Sequence, residues 1–356
     1  MFYGSEVSLR QQLFCVSWRS FHRSIRMSAS ASVIRLSLVI PVYRGEKTLP
    51  LLAREVLPWT QQSLTPGGRP FVVSELILVH DCGPDNSDHV IEALAAEHDF
   101  VRPVWLTRNS GQHPATLAGM ASAMGDWVVT LDEDGQQNPA DIGAMLDVAL
   151  SQHLQVVYAR PSNPPPHGWL RNVLSRTAKR ITSQLLGNPE AGRFNSFRLV
   201  RGDIARTLAA YCGSGVYLDV GLFWVAGRVG HCLIELREEM DRPSGYSYLK
   251  LIGHFWNLIL STGTRPLRVI TLMGALSVAM ALLLVIYALH GRYFSDQAVP
   301  GWASLLMALA FFNGAVLMAM GIIAEYLAVT MSIVMGKPLY VVSPQPTRSA
   351  RSDKRA

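Results

Sequence analysis

The chain has 356 residues, 49% of them hydrophobic and 16% charged, and a formal net charge of +6. That length allows one large domain or two modest ones, and the charged fraction lies below the roughly 25% usual for soluble domains. Four cysteines, Cys15, Cys82, Cys212 and Cys232, are scattered without paired spacing, which excludes a disulfide framework or a zinc site built on cysteine pairs.

The first 30 residues are rich in Arg and Ser and carry one acid, Glu6. Their apolar stretch is too short for a normal signal peptide, so residues 1–32 are expected to be an extension outside the fold, with Met27 as an alternative start. From Leu36 onward short apolar runs alternate with amphipathic stretches. Strands are expected at Leu36–Tyr43, Glu75–Asp81, Val101–Arg108, Trp127–Asp134 and Val156–Arg160. Helices are expected at Lys47–Leu57, Ser87–His98, Pro114–Gly125 and Pro139–Ser151, with Ser87 as an N-cap and both prolines at first helical positions. Continuous apolar strands alternating with helices mean an α/β fold with a mostly parallel sheet covered on both faces. Ligands of such sheets sit beyond the carboxyl ends of the strands. Tyr43, Asp81, Arg108, Asn109 and Asp132 to Asp134 all fall at those ends. No GxGxxG fingerprint and no GxxxxGK[ST] loop follows the first strand, which weighs against dinucleotide oxidoreductases and P-loop enzymes.

After the proline-rich Pro161–Pro166, residues 168–188 place apolar side chains largely on one helical face, with Arg171, Arg176, Lys179 and Arg180 on the others. Such a helix suits a membrane surface, or else a protein surface with its apolar face in the core. Tyr248–Gly263 likewise reads as interfacial. Leu267–Leu289 and Trp302–Ile323 each match the roughly 20 residues that cross a bilayer. Basic residues flank the pair on the outer sides, Arg265 and Arg268 before, and Lys337, Arg348, Arg351, Lys354 and Arg355 after. The positive-inside rule then puts both chain ends in the cytoplasm, and basic residues there favour anionic headgroups. The expected organisation is a catalytic domain over 33–240, an active-site loop and interfacial helix over 241–265, two spans over 266–335 and a basic tail over 336–356.

The stretch VVTLDEDGQQNP, Val128–Pro139, ends an apolar strand in three carboxylates. On a strand, residues two apart face one side, so Asp132 and Asp134 point together, Gln136 follows if the chain stays extended, and Glu133 turns away. Three oxygen donors at a sheet rim suit Mg2+ or Mn2+ with open positions for phosphate. The alternative is an acidic loop capping the helix that starts at Pro139. A calcium EF-hand is excluded by the missing closing glutamate.

Five segments, PVYRGEKTL, LVHDCGPDNS, LTRNSGQHPATLAG, GDWVVTLDEDGQQNP and NSFRLVRGDI, resemble the ordered motifs of family 2 glycosyltransferases with the GT-A fold. The resemblance is strongest to those acting on polyprenyl phosphates, and it runs from about Leu36 to Val342, including the EYLAVTMSIVMGKPLYVV ending. It implies that Pro41, Tyr43, Asp81 and Asp132 line the nucleotide pocket, and that Asp132, Asp134 and Gln136 hold a divalent Mg2+ or Mn2+. It also implies that Ser196, Arg198 and Arg201, with Ser244, Tyr246 and Lys250, meet the acceptor phosphate, Asp134 and Arg198 being catalytic. The implied partners are a nucleotide sugar of the UDP class, a polyprenyl (undecaprenyl) phosphate and the cytoplasmic membrane, not nucleic acid; self-association is left open. The chain departs from the pattern at Arg44-Gly45, at His80, where an aspartate is usual, at Cys82-Gly83-Pro84, at Glu133, where a small residue is usual, and at Gly135. The implied reaction is an inverting transfer in which the acceptor is already anionic and needs no general base. Two other readings are a processive polysaccharide synthase, which needs more spans and a QxxRW motif, and an inactive scaffold that keeps the fold.

Overall fold

The computed structural model describes residues 32–162, 194–213, 217–235, 237 and 301–346, with isolated positions between 274 and 290. The N-terminal extension, the amphipathic segment 168–188, the interfacial segment 248–263 and most of the first expected span lie outside the described residues, as do Ser244, Tyr246 and Lys250.

Strand β1 (Ile34–Val42) carries buried side chains on both faces: Leu36, Leu38, Ile40 and Val42 on one, Ser37 and Val39 on the other. A strand like this can only lie inside a sheet with both faces covered. It is flanked by parallel partners on each side, β3 (Pro70–His80) and β5 (Trp127–Thr130). β4 (Val101–Leu106) extends the sheet beyond β3, also parallel, and the two-residue β2 (Ser63–Leu64) pairs antiparallel with the start of β3. On the far side of β5 lies β7 (Arg198–Arg201), antiparallel to both β5 and β6 (Val156–Pro161), and β8 (Val229–Ile234) closes that edge parallel to β6. The other edge is closed by β9 (Val342–Ser343), antiparallel to β4. The order among the described residues is therefore β8-β6-β7-β5-β1-β3-β4-β9, the mostly parallel mixed sheet that the GT-A resemblance implies.

Two apolar layers cover this sheet. One holds α1 (Leu49–Val56), α2 (Ser87–Glu97) and α4 (Ile142–Ser151), packed on Leu38, Ile40, Leu78 and Val129. The other holds α3 (Gln112–Ser122), α5 (Gly202–Tyr211) and α6 (Leu218–Val225), packed on Val39, Val79, Val128 and Val200. Local details differ from the sequence reading. Ser87 is the first helical residue of α2 rather than its cap, and its hydroxyl accepts from Gly45 N–H at 2.8 Å. α3 begins two residues before Pro114. Asn138 caps a short 3-10 turn at Pro139–Asp141, accepting from Ala140 N–H at 3.1 Å, before α4 starts.

α7 (Trp302–Val334) spans 33 residues, and its Phe311–Met331 portion has a mean hydropathy of 1.8 with no part buried in the protein. At about 1.5 Å per residue it exceeds the roughly 30 Å of a hydrocarbon core. It ends at Gly336, whose positive φ of 62° and N–H bond to Ile333 O stop the helix. Leu339 and Tyr340 then pack against the α3–α5 layer, and β9 joins the sheet.

At the amino end of the strands, Glu75 sits inside the sheet where the β1–β3 register slips by one residue, between Leu36 and Ser37. Its carboxylate accepts from Ser37 Oγ and Met124 N–H, both at 2.6 Å, and from Arg102 Nη1. Burial pushes its pKa up, but these three donors outweigh it and hold the group below the ordinary carboxylate value. A carboxyl with a depressed native pKa contributes stability above its unfolded pKa and loses it as pH falls through the native one. Glu75→Ala should lower stability by about 1–3 kcal/mol at neutral pH, and the gap from the parent should shrink as pH drops below the usual carboxylate range. Thermal melts of the full chain in detergent across pH check both, and a gap that does not change with pH would sink this account of Glu75.

Candidate active site

At the carboxyl end of the sheet, β5 stops at Thr130, and the chain turns instead of staying extended. Leu131 N–H still bonds Val39 O at 3.0 Å, but Gly135 at φ 75° redirects the backbone, and Asp134 Oδ1 accepts from Gln136 N–H at 3.0 Å. The alternation expected for an extended Asp132-Asp134-Gln136 run therefore does not hold beyond Leu131. Asp132 is instead oriented by three donors from separate segments. Gln112 Nε2, on the first turn of α3, donates to Oδ1 at 2.7 Å. Gln137 Nε2 donates to Oδ2 at 2.8 Å, and Ser196 Oγ donates to the same oxygen. Gln137 also closes a ring, accepting from Asp132 N–H at 2.9 Å while its Nε2 reaches Ser196 Oγ at 3.0 Å. Thus Gln137, buried, is the amide that reaches Asp132, while Gln136 contributes a carbonyl that accepts from Arg237 N–H at 3.1 Å.

Burial raises the Asp132 pKa, and the charge of nearby Asp134 adds to the rise; Ser196, Arg198 and Gln137 oppose it. The two carboxylates are therefore electrostatically coupled, which a cation between them would relieve. Among the described residues no group of three His, Cys, Asp or Glu side chains is assembled for a metal. Two carboxylate oxygens with no softer ligand are still the kind of set that holds Mg2+ or Mn2+ when substrate phosphates complete the shell, so the residues fit such an ion.

Glu133 takes a different set of partners from Asp132. Its carboxylate accepts from Tyr43 N–H at 2.8 Å and from Arg44 N–H at 2.9 and 3.0 Å, tying the turn to the exit of β1. Pro41 closes β1 there, and the Tyr43 ring is 40% exposed on the rim, with the Arg44 guanidinium 5.6 Å from its centroid. Gly83, after β3, lies so close that a Cβ would fall 1.7 Å from Tyr43 O, and Cys82 before it takes a positive φ of 49°. Asp81 is buried, its two oxygens accepting from Ser110 N–H at 2.6 Å and Gly111 N–H at 2.8 Å. Burial raises its pKa against those two bonds. It fixes the loop that leads into α3 and so the position of Gln112.

The structure thus brings Pro41, Tyr43, Asp81, Asp132, Asp134 and Ser196 to one rim, from the ends of β1, β3 and β5 and the entry to β7. Arg198 lies at that end of β7 opposite Thr130, 3% exposed and paired with buried Asp219. Arg201 is not brought to the rim. Because β7 runs antiparallel, Arg201 faces Trp127 at the other end of β5, about 10 Å along the strand, and pairs with Asp203 at 2.6 Å. Gln112 and Gln137 were missed in the sequence; the signal that could have found them is an amide beside each rim motif, in SGQHP and DGQQNP.

Residues 37–208 match the family Glycosyl transferase family 2. Relatives from Pectobacterium carotovorum subsp. carotovorum (strain PC1) and Pectobacterium atrosepticum are each 30% identical over 318 residues, covering 88% of this chain and 94% of theirs. Both are named undecaprenyl-phosphate 4-deoxy-4-formamido-L-arabinose transferase. A glucosyl-3-phosphoglycerate synthase from Mycobacterium tuberculosis, crystallised with Mn2+, UDP and its product, superposes with a TM-score of 0.45 at 18% identity, covering 67% of this chain and 81% of that one. A likeness that loose says nothing by itself about chemistry.

The amide ring around Asp132 makes a prediction about neighbouring glutamines. Gln137→Leu leaves the Asp132 N–H and one carboxylate oxygen short of partners in a buried site and should cost about 1–3 kcal/mol. Gln136→Leu should cost far less. Equal shifts of the two in thermal melts would mean that Gln137 does not hold the turn.

Proposed function

The chain belongs to family 2 of the glycosyltransferases, and from that premise we propose that it moves a sugar from a nucleotide sugar to undecaprenyl phosphate at a membrane surface, yielding a lipid-linked monosaccharide. The observation that carries the reading is the reach of the likeness to the undecaprenyl-phosphate transferases. A match of 318 residues cannot end at the catalytic sheet and must run on into the apolar C-terminal segment. The name of those relatives makes 4-deoxy-4-formamido-L-arabinose the first sugar to test; a UDP-sugar is the first donor class to try.

Rim residues divide the work by chemistry. Tyr43 offers an exposed ring, and Pro41 a rigid wall, where a nucleotide base would stack. Asp132 and Asp134 would hold the divalent ion, Mg2+ or Mn2+, with Gln112, Gln137 and Ser196 fixing the direction of Asp132. When bound, the ion supplies positive charge to a diphosphate leaving group. Glu133 keeps the turn and the base-side wall in register by gripping the Tyr43 and Arg44 amides. A lipid phosphate is already an anion at neutral pH, so no side chain here has to remove a proton from it, and a single displacement with inversion follows. The acceptor needs a cation to bring it beside another anion; Lys250 remains proposed for that charge, with the Ser244 and Tyr246 hydroxyls as hydrogen-bond donors beside it.

The anchoring is consistent with a lipid acceptor. Residues 335–341, at most about 25 Å when extended, connect the end of α7 to β9, which pairs with Trp105 and Leu106 at the carboxyl end of β4. The same rim that bears Asp132 is therefore tethered close to the end of an apolar helix. Multi-pass insertion, with the catalytic domain and both termini in the cytoplasm, is part of this proposal.

Purified protein with undecaprenyl phosphate and a panel of labelled nucleotide sugars should yield a lipid-extractable monosaccharide. Chelation of divalent ions should abolish the transfer and added Mg2+ or Mn2+ restore it. Asp134→Ala should lower the rate by at least about 100-fold while membrane insertion is retained. A water-soluble polymer in place of the lipid product would favour a polysaccharide synthase, and no product from any donor would favour a scaffold.

A further inference from the structure

Beneath the Asp132 turn lies an ion pair shut off from solvent. Arg198 Nη1 donates to Asp219 Oδ1, and both residues are 3% exposed. Asp219, on the first turn of α6, also accepts from the Tyr158 hydroxyl at 3.0 Å. The remaining edge of the guanidinium points to the rim: Arg198 Nε donates to Thr130 Oγ1 at 3.0 Å and to Ser196 O at 3.3 Å. Thr130 donates to Ser196 O at 2.5 Å, and Ser196 Oγ donates to Asp132. A continuous set of polar contacts thus runs from α6 and β6, through β7 and the end of β5, to a carboxylate of the active site.

A buried ion pair is a poor way to gain stability, since apolar residues of similar size often replace one at no cost. The geometry offers another use for this one. Arg198 lies close enough to Asp132 for its charge to act there. We propose that Asp219, assisted by Tyr158, is a positioning residue that aligns Arg198 Nε on Thr130 and Ser196, so that Ser196 orients Asp132 toward a cation. On this account Arg198 acts through the metal-binding turn and does not itself meet the lipid phosphate. The inference rests on the reading of Asp132 and Asp134 as metal-binding.

The test uses the full chain in detergent and reads Mn2+ binding directly, by the loss of the free-ion signal in electron paramagnetic resonance, alongside KM for the nucleotide sugar and for undecaprenyl phosphate. Asp219→Asn should weaken Mn2+ binding about 10- to 100-fold, the usual cost of disturbing residues behind a metal ligand, while KM for undecaprenyl phosphate stays unchanged. Because an unpaired Arg198 can unfold the protein, the double variant Arg198→Met/Asp219→Leu is made as well. It replaces the pair by apolar side chains but leaves Thr130 Oγ1 without its donor and Ser196 O with Thr130 alone. Folded double variant with weakened Mn2+ binding supports the proposal; parental Mn2+ binding overturns it and leaves the pair a packing feature. A rise confined to KM for undecaprenyl phosphate in either variant also overturns it, because Arg198 then serves the acceptor. Asp134→Ala, measured in parallel, separates the two levels: if it too binds Mn2+ normally, the metal reading itself fails, whereas its loss of binding with a normal double variant removes only the role of Asp219.

Discussion

A carboxylate at the edge of a buried sheet has to be solvated by the protein, and the Asp132 site is organised by that requirement. Burial and the neighbouring Asp134 both favour the neutral form. Keeping the charged form accessible takes hydrogen-bond donors, and each arrives from a different segment: Gln112 from α3, Gln137 from the turn, Ser196 from the entry to β7. None of these segments could be displaced by a residue or two without leaving a polar group unpaired in a low-dielectric site, at a cost comparable to a substantial part of a domain's net stability. Insertion of antiparallel β7 beside β5 brings Ser196 and Arg198 to the rim end of the sheet, and Asp81 sets the start of α3 by gripping Ser110 and Gly111.

Most of the parallel half of the sheet was legible in the sequence because its signals are local. Runs such as LSLVIPV and ELILVH are apolar on both faces, and a strand of that kind is buried wherever it lies. The rim assignment of Tyr43, Asp81 and Asp132 then follows from the direction of parallel strands. What failed was set by long-range pairing. β7 has only four residues, and nothing in RLVR says that it runs against its neighbours; that reversal separates Arg198 from Arg201 and carries Arg201 away from the rim. The place expected for Gln136 beside Asp132 and Asp134 hinged on the chain staying extended, and the positive φ of Gly135 ends that run. The two-residue β9 was invisible because it exists only as a partner of β4.

The departures from the family pattern have different physical characters. Glu133 replaces a small residue and makes bonds to two backbone amides across the rim, so its charge is used. Cys82 takes a positive φ where a glycine would be unstrained, and its thiol donates to Leu106 O at 2.9 Å. His80 is the opposite case. Its ring is buried against the edge of Trp105, and neither ring nitrogen has a hydrogen-bond partner among the described residues. Burial lowers its pKa despite the nearby charges of Asp88 and Asp85, so the imidazole is neutral where an aspartate would be charged. The β1–β3 side of the rim therefore carries one negative charge fewer than the usual pattern, while Asp132 and Asp134 keep both acids on the β5 side.

The remaining constraint is mechanical. An enzyme that uses a lipid acceptor must hold a polar catalytic rim near a surface that excludes polar groups, and a long flexible tether would cost entropy each time the two met. Here the end of α7 is not free. Gly336 stops the helix, Leu339 and Tyr340 bury themselves in the α3–α5 layer, and Val342 and Ser343 bond to the exposed edge of β4. Those contacts convert part of the tether into folded structure and cover a sheet edge that would otherwise present unpaired amides. Thr107 N–H, the first residue past β4, bonds Val341 O at 2.9 Å and leads directly into the loop that Asp81 grips. The end of the apolar helix and the orientation of Gln112 on Asp132 thus meet in one short stretch, residues 107–112, so the two are joined through the same few residues.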